Sequence, residues 1–158
     1  MKRLLVILIF LLSCRYTANA ENVIIGDKLP EMQLSAWLMD AKPVDTPLSC
    51  ILFHHTESKL CRSCLEQIKQ LVYDYSSNIN LVIITKEEYA KAGVTLTEHL
   101  CDNIGVAFDD KGRTFQAFGV SFIPFCVICD DKNRAVWCGN GLTLSKEVIK
   151  NILTTKSK

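Results

Sequence analysis

Two short apolar runs on either side of a helical pattern constrain the fold of this chain more than any other feature. Residues 50–55, CILFHH, and residues 80–85, NLVIIT, have the length and the apolar content of buried strands. From Cys61 onwards the apolar residues fall on one helical face: Leu65, Ile68, Leu71, Val72 and Tyr75. A strand, a helix and a second strand in this order predict a βαβ unit with parallel strands and a right-handed crossover.

The segment after this unit alternates short helical and strand patterns. Residues 86–103 look helical, with an interruption at Gly93. Residues 104–108, IGVAF, are a predicted strand, and residues 112–120 are a predicted short helix or turn. We therefore expect the alternation of helices and strands to continue beyond the βαβ unit.

The last third of the sequence predicts a hairpin and a closing helix. Residues 124–129, PFCVIC, and residues 134–139, RAVWCG, are joined by a polar turn, which favours two antiparallel strands. A last helix is predicted after Thr143, with either Thr143 or Ser145 as its N-cap. Its apolar stripe consists of Leu144, Val148, Ile149, Ile152 and Leu153.

The first twenty residues have the order of a secretory signal peptide. A basic start precedes an apolar run over residues 4–12 and the small triplet ANA, so cleavage is predicted after Ala20. The run is too short to span a bilayer. An alternative reading takes LLSC as a lipobox with Cys14 as the acylated residue. Either reading predicts export to the periplasm or another extracytoplasmic compartment.

Residues 21–158 are predicted to form a single domain. They number 138 and contain no repeat or long linker, which suits one hydrophobic core. They carry fifteen basic and seventeen acidic side chains, so nothing indicates a nucleic-acid surface. Seven cysteines remain once Cys14 is removed. Because seven is odd, at least one thiol stays free or pairs with another molecule in an oxidising compartment.

Cys61 and Cys64 are two residues apart where the helical pattern begins. Residues three positions apart share a helical face, and a small relaxation brings them within disulfide reach. Cys61 is predicted to be the attacking sulfur, because the helix N-terminus favours a thiolate and Arg62 is predicted to tune its ionisation. Cys64, one turn inside the helix, is predicted to be less exposed and to resolve the mixed disulfide. A static disulfide is the alternative.

The other cysteines do not predict a second redox pair. Cys126 and Cys129 also have CxxC spacing, but residues three apart in a strand point to opposite faces with Cα atoms about 10 Å apart. We expect both to be small buried apolar residues. Cys50, Cys101 and Cys138 have no motif around them, and a disulfide among these three stays an open alternative.

The order of these features resembles the thioredoxin superfamily: a CxxC opening the helix of a βαβ unit, an Ile-Pro step entering a hairpin, and a closing helix. The stretch VAFDDKGRTFQAFGVSFIPFCVICDDKNRAV is similar to the TlpA-like and AhpC-like branch of bacterial envelope proteins. The resemblance implies an α/β thioredoxin-like fold with a central mixed sheet, a parallel βαβ half, a C-terminal β-hairpin and flanking helices. It also implies that Pro124 is a cis-proline facing the cysteines and that Ile123 presents its backbone to a bound substrate strand.

The sequence departs from the superfamily in the approach to Cys61. Leu60 stands where thioredoxins usually carry Trp, and the polar stretch TESK lengthens the loop before the helix. No carboxylate lies within the preceding strand, where thioredoxins keep a buried proton acceptor. These departures affect proton transfer and redox potential rather than the presence of the cysteine pair.

The function predicted is that of an extracytoplasmic thiol-disulfide oxidoreductase that uses Cys61 and Cys64 on protein disulfides. The resemblance favours a reductase over an oxidase. No cofactor and no metal are expected. The expected partners are protein substrates with disulfides or thiols and a membrane electron-transfer protein that resets the pair.

The main alternative is an envelope chaperone for copper or zinc with the same fold. Cys61 and Cys64 could bind a metal together with His54 or His55, although at most one of two adjacent histidines faces the cysteines easily. His99 is predicted to lie at the surface at the end of a helix. A peroxidase of the peroxiredoxin type is disfavoured, because no Pro precedes Cys61 in its loop.

Overall fold

The computed structural model describes residues 23–156, so the predicted signal peptide and Cys14 lie outside the described residues. The strands are β1 (Ala36–Trp37), β2 (Leu48–Phe53), β3 (Ile79–Thr85), β4 (Ile104–Phe108), β5 (Phe125–Asp130) and β6 (Ala135–Asn140). The helices are α1 (Lys59–Asp74), α2 (Tyr89–Leu96), α3 (Arg113–Ala117) and α4 (Lys146–Lys156). Short 3-10 turns cover Leu38–Asp40, Thr97–His99 and Gly141–Thr143.

One mixed sheet has the strand order β1-β4-β3-β2-β5-β6. Strands β2, β3 and β4 are parallel, while β1 pairs with β4, β5 with β2, and β6 with β5 in antiparallel fashion. This arrangement confirms the predicted parallel βαβ half and the C-terminal hairpin. Strand β2 therefore pairs with β3 of the parallel half on one side and with β5 of the hairpin on the other.

Helices cover the sheet on both faces. Helices α1, α2 and α4 pack on one face through a cluster that includes Leu65, Ile68, Leu96 and Ile149. On the other face, Phe115 and Phe118 of the α3 region pack with residues of β2 and β5. All seven residues of β3 are buried, as expected of a parallel strand covered on both sides.

Several element boundaries differ from the sequence-based predictions. Strand β2 ends at Phe53, so both histidines of CILFHH lie beyond it. Helix α2 runs through Gly93, where a Cβ atom would lie 3.2 Å from Leu38 Cδ1. The glycine therefore allows close packing of the helix and does not interrupt it. Helix α4 is capped by Ser145, whose hydroxyl accepts from Val148 N at 3.4 Å.

The edge strand β1 was not predicted. Ala36 and Trp37 pair with Phe108 and Ala107 of β4, in a region for which the sequence analysis named no element. A strand of two residues is too short to show an alternating pattern, so the sequence carries no signal for it. Within residues 23–156, each helix is too short or too polar to cross a bilayer.

Candidate redox site

Helix α1 begins at the edge of the sheet where the parallel strands end. Ser58 is its N-cap: the backbone is extended there, and the side-chain oxygen accepts from Cys61 N at 3.2 Å. Helix α1 starts at Lys59, so Cys61 is its third residue and still lies in the first turn. Arg62 is exposed, and its guanidinium donates to Thr56 O at 2.7 Å across the preceding loop.

Both cysteines of the CxxC pair are fully buried, each with 0% of its surface exposed. The prediction that Cys64 would be the less exposed of the two is therefore wrong. The loop before α1 is bound to the first helical turn through Thr56 O and Ser58 Oγ, and sequence spacing alone does not reveal these contacts. Burial raises the pKa of Cys64 to about 12, and the nearby Cys50 and Cys61 make smaller contributions in the same direction. At neutral pH Cys64 is thus a protonated thiol, which suits a resolving sulfur that acts second.

Pro124 is brought to the cysteine pair through Gly141. The Ile123–Pro124 peptide bond is cis, as the resemblance implied. Pro124 O accepts from Gly141 N at 3.0 Å, and a Cβ atom on Gly141 would lie only 2.5 Å from Cys64 Sγ. The turn that enters the hairpin therefore packs beside Cys64. The sequence analysis missed Gly141, since nothing in its neighbourhood marks it as a contact of Cys64.

A small groove lies next to this turn. Its volume is about 250 Å³, and residues lining it include His54, His55, Phe115, Phe122 and Ile123. Phe122 is 48% exposed, and Leu60, directly before Cys61, is 58% exposed. Exposed apolar side chains at this groove and directly before Cys61 offer a surface that an extended apolar peptide can cover.

A buried carboxylate that the sequence analysis missed lies beside the loop before α1. Glu87 follows β3 and accepts hydrogen bonds from Thr56 N at 2.8 Å, from Thr56 Oγ1 and from Thr85 Oγ1 at 2.9 Å. Burial acts to raise the pKa of Glu87, but these hydrogen bonds outweigh it and lower the pKa below its usual value. The predicted parallel pairing of β2 and β3 could have indicated the contact of Glu87 with Thr56, because it places the residues that follow both strands at one edge of the sheet.

His54 is the buried polar side chain closest in sequence to the site. Only 2% of its surface is exposed, and its Nδ1 atom has no hydrogen-bond partner among residues 23–156. Burial lowers the pKa of His54 to about 4, although the negative charge of Glu87 opposes this shift. His55 is half-exposed, with Nδ1 3.6 Å from Glu87 Oε1. The two adjacent histidines thus occupy different environments.

The buried His54 predicts a loss of stability in mild acid. Its folded pKa of about 4 lies below the unfolded value of 6.5, so the unfolded chain binds a proton first as the pH falls. Stability is therefore full above pH 6.5 and decreases below it. We expect the free energy of unfolding to fall by about 1 kcal/mol between pH 7 and pH 5.5. Urea titration at these two pH values measures this change.

His54→Asn is the matched variant for this measurement, because it keeps a polar side chain that does not titrate. Its free energy of unfolding should change much less over the same interval. A variant that loses as much stability as the wild type would assign the effect to other groups, for example His99.

Among the described residues, no group of three or more His, Cys, Asp and Glu side chains is arranged to hold a metal ion. Cys61 and Cys64 are thus not gathered with His54 or His55 into a ligand set.

The prediction that His99 lies at the surface is wrong. The 3-10 turn Thr97–His99 folds this side chain against α1, where Lys69 Nζ is 2.9 Å from His99 Nδ1.

The remaining cysteines are divided between the two faces of the sheet. Cys126 packs with α1 and Cys129 packs on the opposite face, which confirms the prediction that both are buried and point apart. Cys50 lies on the α1 face, Cys138 packs against the other cluster, and Cys101 is exposed. These three are therefore not brought together. Cys50 instead contacts Cys126, with their Sγ atoms 3.2 Å apart.

No protein-family model and no curated protein matches the chain, but solved structures do. A thiol peroxidase from Chromobacterium violaceum matches with a TM-score of 0.67 at 14% identity, over 87% of this chain and 90% of its own. A thioredoxin-like protein in the oxidised form gives 0.64 at 15% identity, over 87% and 98%. A thiol-disulfide isomerase from Corynebacterium glutamicum gives 0.63 at 14% identity, over 80% and 94%. Together with the sheet topology, these matches show that the chain has a thioredoxin-like fold.

Proposed function

We propose that this protein is a thiol-disulfide oxidoreductase that reduces protein disulfides with Cys61 and Cys64. One observation carries the proposal: Gly141 N donates to Pro124 O, and the Gly141 backbone lies against Cys64 Sγ, so the turn at Pro124 is one residue removed from the second cysteine of the CxxC pair. A substrate strand that pairs with the backbone of this turn would lie beside both sulfurs. The solved relatives whose names refer to thiol chemistry support the same reaction class.

The reaction requires two exchanges of sulfur partners. The Cys61 thiolate attacks one sulfur of a substrate disulfide, which forms a mixed disulfide and releases the other substrate sulfur as a thiolate. Cys64 then attacks Cys61 Sγ, its proton passes to a substrate thiolate, and the substrate leaves fully reduced. Because the pKa of Cys64 is about 12, this sulfur is a weak competitor for the first attack. The order of attack therefore follows from the raised pKa of Cys64.

The groove beside Ile123 supports an extended, partly apolar peptide as the substrate segment. Phe122 and Leu60 would cover apolar side chains of this peptide, while the backbone of Ile123 would accept its strand. A protein disulfide in an unfolded or flexible segment fits this description better than a small-molecule disulfide. The proposed location is extracytoplasmic, following the signal peptide predicted at residues 1–20, and a membrane electron-transfer protein would return the pair to the dithiol form.

The reduction potential of the pair tests the reductase assignment. Reductases of this fold have potentials near −270 mV and strong oxidants near −120 mV, and we expect a midpoint in the lower half of this range, below about −195 mV. Equilibration with glutathione or dithiothreitol buffers, followed by alkylation of the free thiols, measures the midpoint. A value near the upper end would replace the reductase with an oxidase, and failure of the pair to oxidise would remove the proposal.

Arg62 is proposed to tune this potential through its positive charge near Cys61. Arg62→Glu should destabilise the thiolate and so lower the midpoint by about 10 to 30 mV, whereas Arg62→Lys should change it little. Since Arg62 is exposed, salt should weaken the effect. If Arg62→Glu and Arg62→Lys have equal midpoints at low salt, the charge of Arg62 does not tune the potential. The role of Arg62 is then limited to its hydrogen bond with Thr56 O.

A further inference from the structure

Three buried thiols lie together between helix α1 and the sheet. Cys50 on β2 and Cys126 on β5 point to the same face of the sheet as Cys64, and all three are fully buried in one cluster. The Sγ atoms of Cys50 and Cys126 are 3.2 Å apart. Neither residue belongs to the CxxC pair at the start of α1, so the contact has no role in the reaction described above.

The Cys50–Cys126 contact follows from the register of the two strands. Cys50 pairs with Ile128 and Leu52 pairs with Cys126, so the two cysteines are diagonal neighbours on one face. Their sulfurs are already turned towards each other. An S–S bond of about 2.0 Å requires them to approach by only about 1 Å, which a small shear of the two strands can supply.

Gly141 connects this second pair to the first. A Cβ atom at Gly141 would lie 2.5 Å from Cys64 Sγ and 3.5 Å from Cys126 Cβ. Because the glycine has no side chain, nothing from this position separates Cys64 from Cys126. Cys50 adds to the effect of burial in raising the pKa of Cys64. The pKa of Cys126 is raised by its contact with Cys50, then by burial, and to a smaller extent by Cys64.

We propose that Cys50 and Cys126 are a second, internal redox site that is oxidised by the Cys61–Cys64 disulfide. The protein would then store four electrons in two dithiols, of which only the first pair exchanges with substrates. This proposal rests on the proposed function, because the Cys61–Cys64 disulfide is the oxidant. It concerns different residues, however, and can fail while the first pair remains active.

The transfer balances as two thiol-disulfide exchanges. The Cys126 sulfur attacks Cys64 Sγ, which breaks the Cys61–Cys64 bond, forms a Cys64–Cys126 bond and passes one proton to Cys61. The Cys50 sulfur then attacks Cys126 Sγ, which forms the Cys50–Cys126 bond and passes one proton to Cys64. The net result is that Cys61 and Cys64 become thiols while Cys50 and Cys126 lose two electrons and two protons to them.

Position in the fold determines the route of this oxidation. Cys50 and Cys126 lie on strands beneath helix α1, whereas Cys61 lies in the first turn of this helix between the exposed Leu60 and Arg62, so a disulfide in solution meets Cys61 first. Cys64 is the sulfur that the fold places against their cluster. The contact with Cys50 and then burial raise the pKa of Cys126 well above its usual value, so each exchange should be slow compared with the reaction at Cys61. The second disulfide is thus expected to form after the first.

The test follows disulfide formation in the purified protein. Fully reduced protein is mixed with excess oxidised glutathione, quenched with acid at intervals, alkylated under denaturing conditions and mapped by non-reducing peptide mass spectrometry. We expect a Cys61–Cys64 disulfide first and then a Cys50–Cys126 disulfide in the same molecules. If Cys50 and Cys126 remain alkylated after the first disulfide is complete, the proposal is overturned and the proposed function stands. If the first disulfide does not form, both fail.

Two variants test the route. Cys64→Ala should slow formation of the Cys50–Cys126 disulfide by about tenfold or more, because the intramolecular exchange is lost. Cys129→Ala, on the opposite face of the sheet, is the matched control and should leave the rate unchanged. An equal rate in Cys64→Ala and wild type would show that oxidation does not pass through Cys64, and would overturn the relay.

Discussion

Cys61→Ser is expected to abolish the catalysis of insulin reduction by dithiothreitol, whereas Cys64→Ser is expected to accumulate mixed disulfides with its substrate. The first variant lacks the sulfur that attacks, so it leaves only the uncatalysed reaction. The second still attacks but lacks the thiol that resolves the bond to Cys61. The turbidity of precipitating insulin measures the activity, and non-reducing electrophoresis detects the trapped species.

Cys101→Ser is the matched control for this experiment. Cys101 is an exposed thiol, so its replacement removes a sulfur without touching the buried pair, and full activity is expected. Adding a strong chelator should not change the wild-type rate, since the proposed reaction requires no metal. Equal activity of Cys61→Ser and the wild type would contradict the assignment of Cys61, and loss of activity on chelation would favour the metal-binding alternative.

Gly141→Ala is expected to destabilise the reduced protein by about 2 kcal/mol and to slow the release of substrate from Cys61. The new Cβ atom would meet Cys64 Sγ at 2.5 Å, which is too close for any real contact. Cys64 has a single rotatable side-chain bond, and a helix excludes one of its three rotamers, so the sulfur can move only by disturbing its buried neighbours. Urea titration under reducing conditions measures the change in stability.

The double variant Cys64→Ala/Gly141→Ala isolates this contact. Removing Cys64 Sγ makes room for the new Cβ atom, so Gly141→Ala should cost much less in the Cys64→Ala background than in the wild type. An equal cost in both backgrounds would show that the strain does not arise at Cys64 Sγ.

The sequence was sufficient for features that depend on local periodicity. The apolar runs around helix α1 predicted the parallel pairing of β2 and β3, because a strand, a helix and a strand of these lengths have one common arrangement. The separation of Cys126 and Cys129 followed from the two-residue repeat of a strand. These features involve residues that are close along the chain, so spacing is enough to place them.

The resemblance to a known superfamily contributed what spacing could not. The proximity of Pro124 to a cysteine some sixty residues earlier was expected only because the order of the elements resembled that superfamily. The ends of helix α1 and strand β2 were harder to predict from the sequence. They depend on the cap at Ser58 and on a hydrogen bond from His54 N to Ile84 O, and neither has a strong periodic signal.

Only the tertiary structure decided which side chains meet across the sheet. The contact of Cys50 with Cys126 depends on the register of β2 against β5, and a shift of one residue would turn one sulfur to the opposite face. The hydrogen bonds of Glu87 to Thr56 depend in the same way on the relative ends of β2 and β3. A sequence specifies such contacts only through the packing of the whole core, because the residues that make them are distant in the chain and share no local pattern.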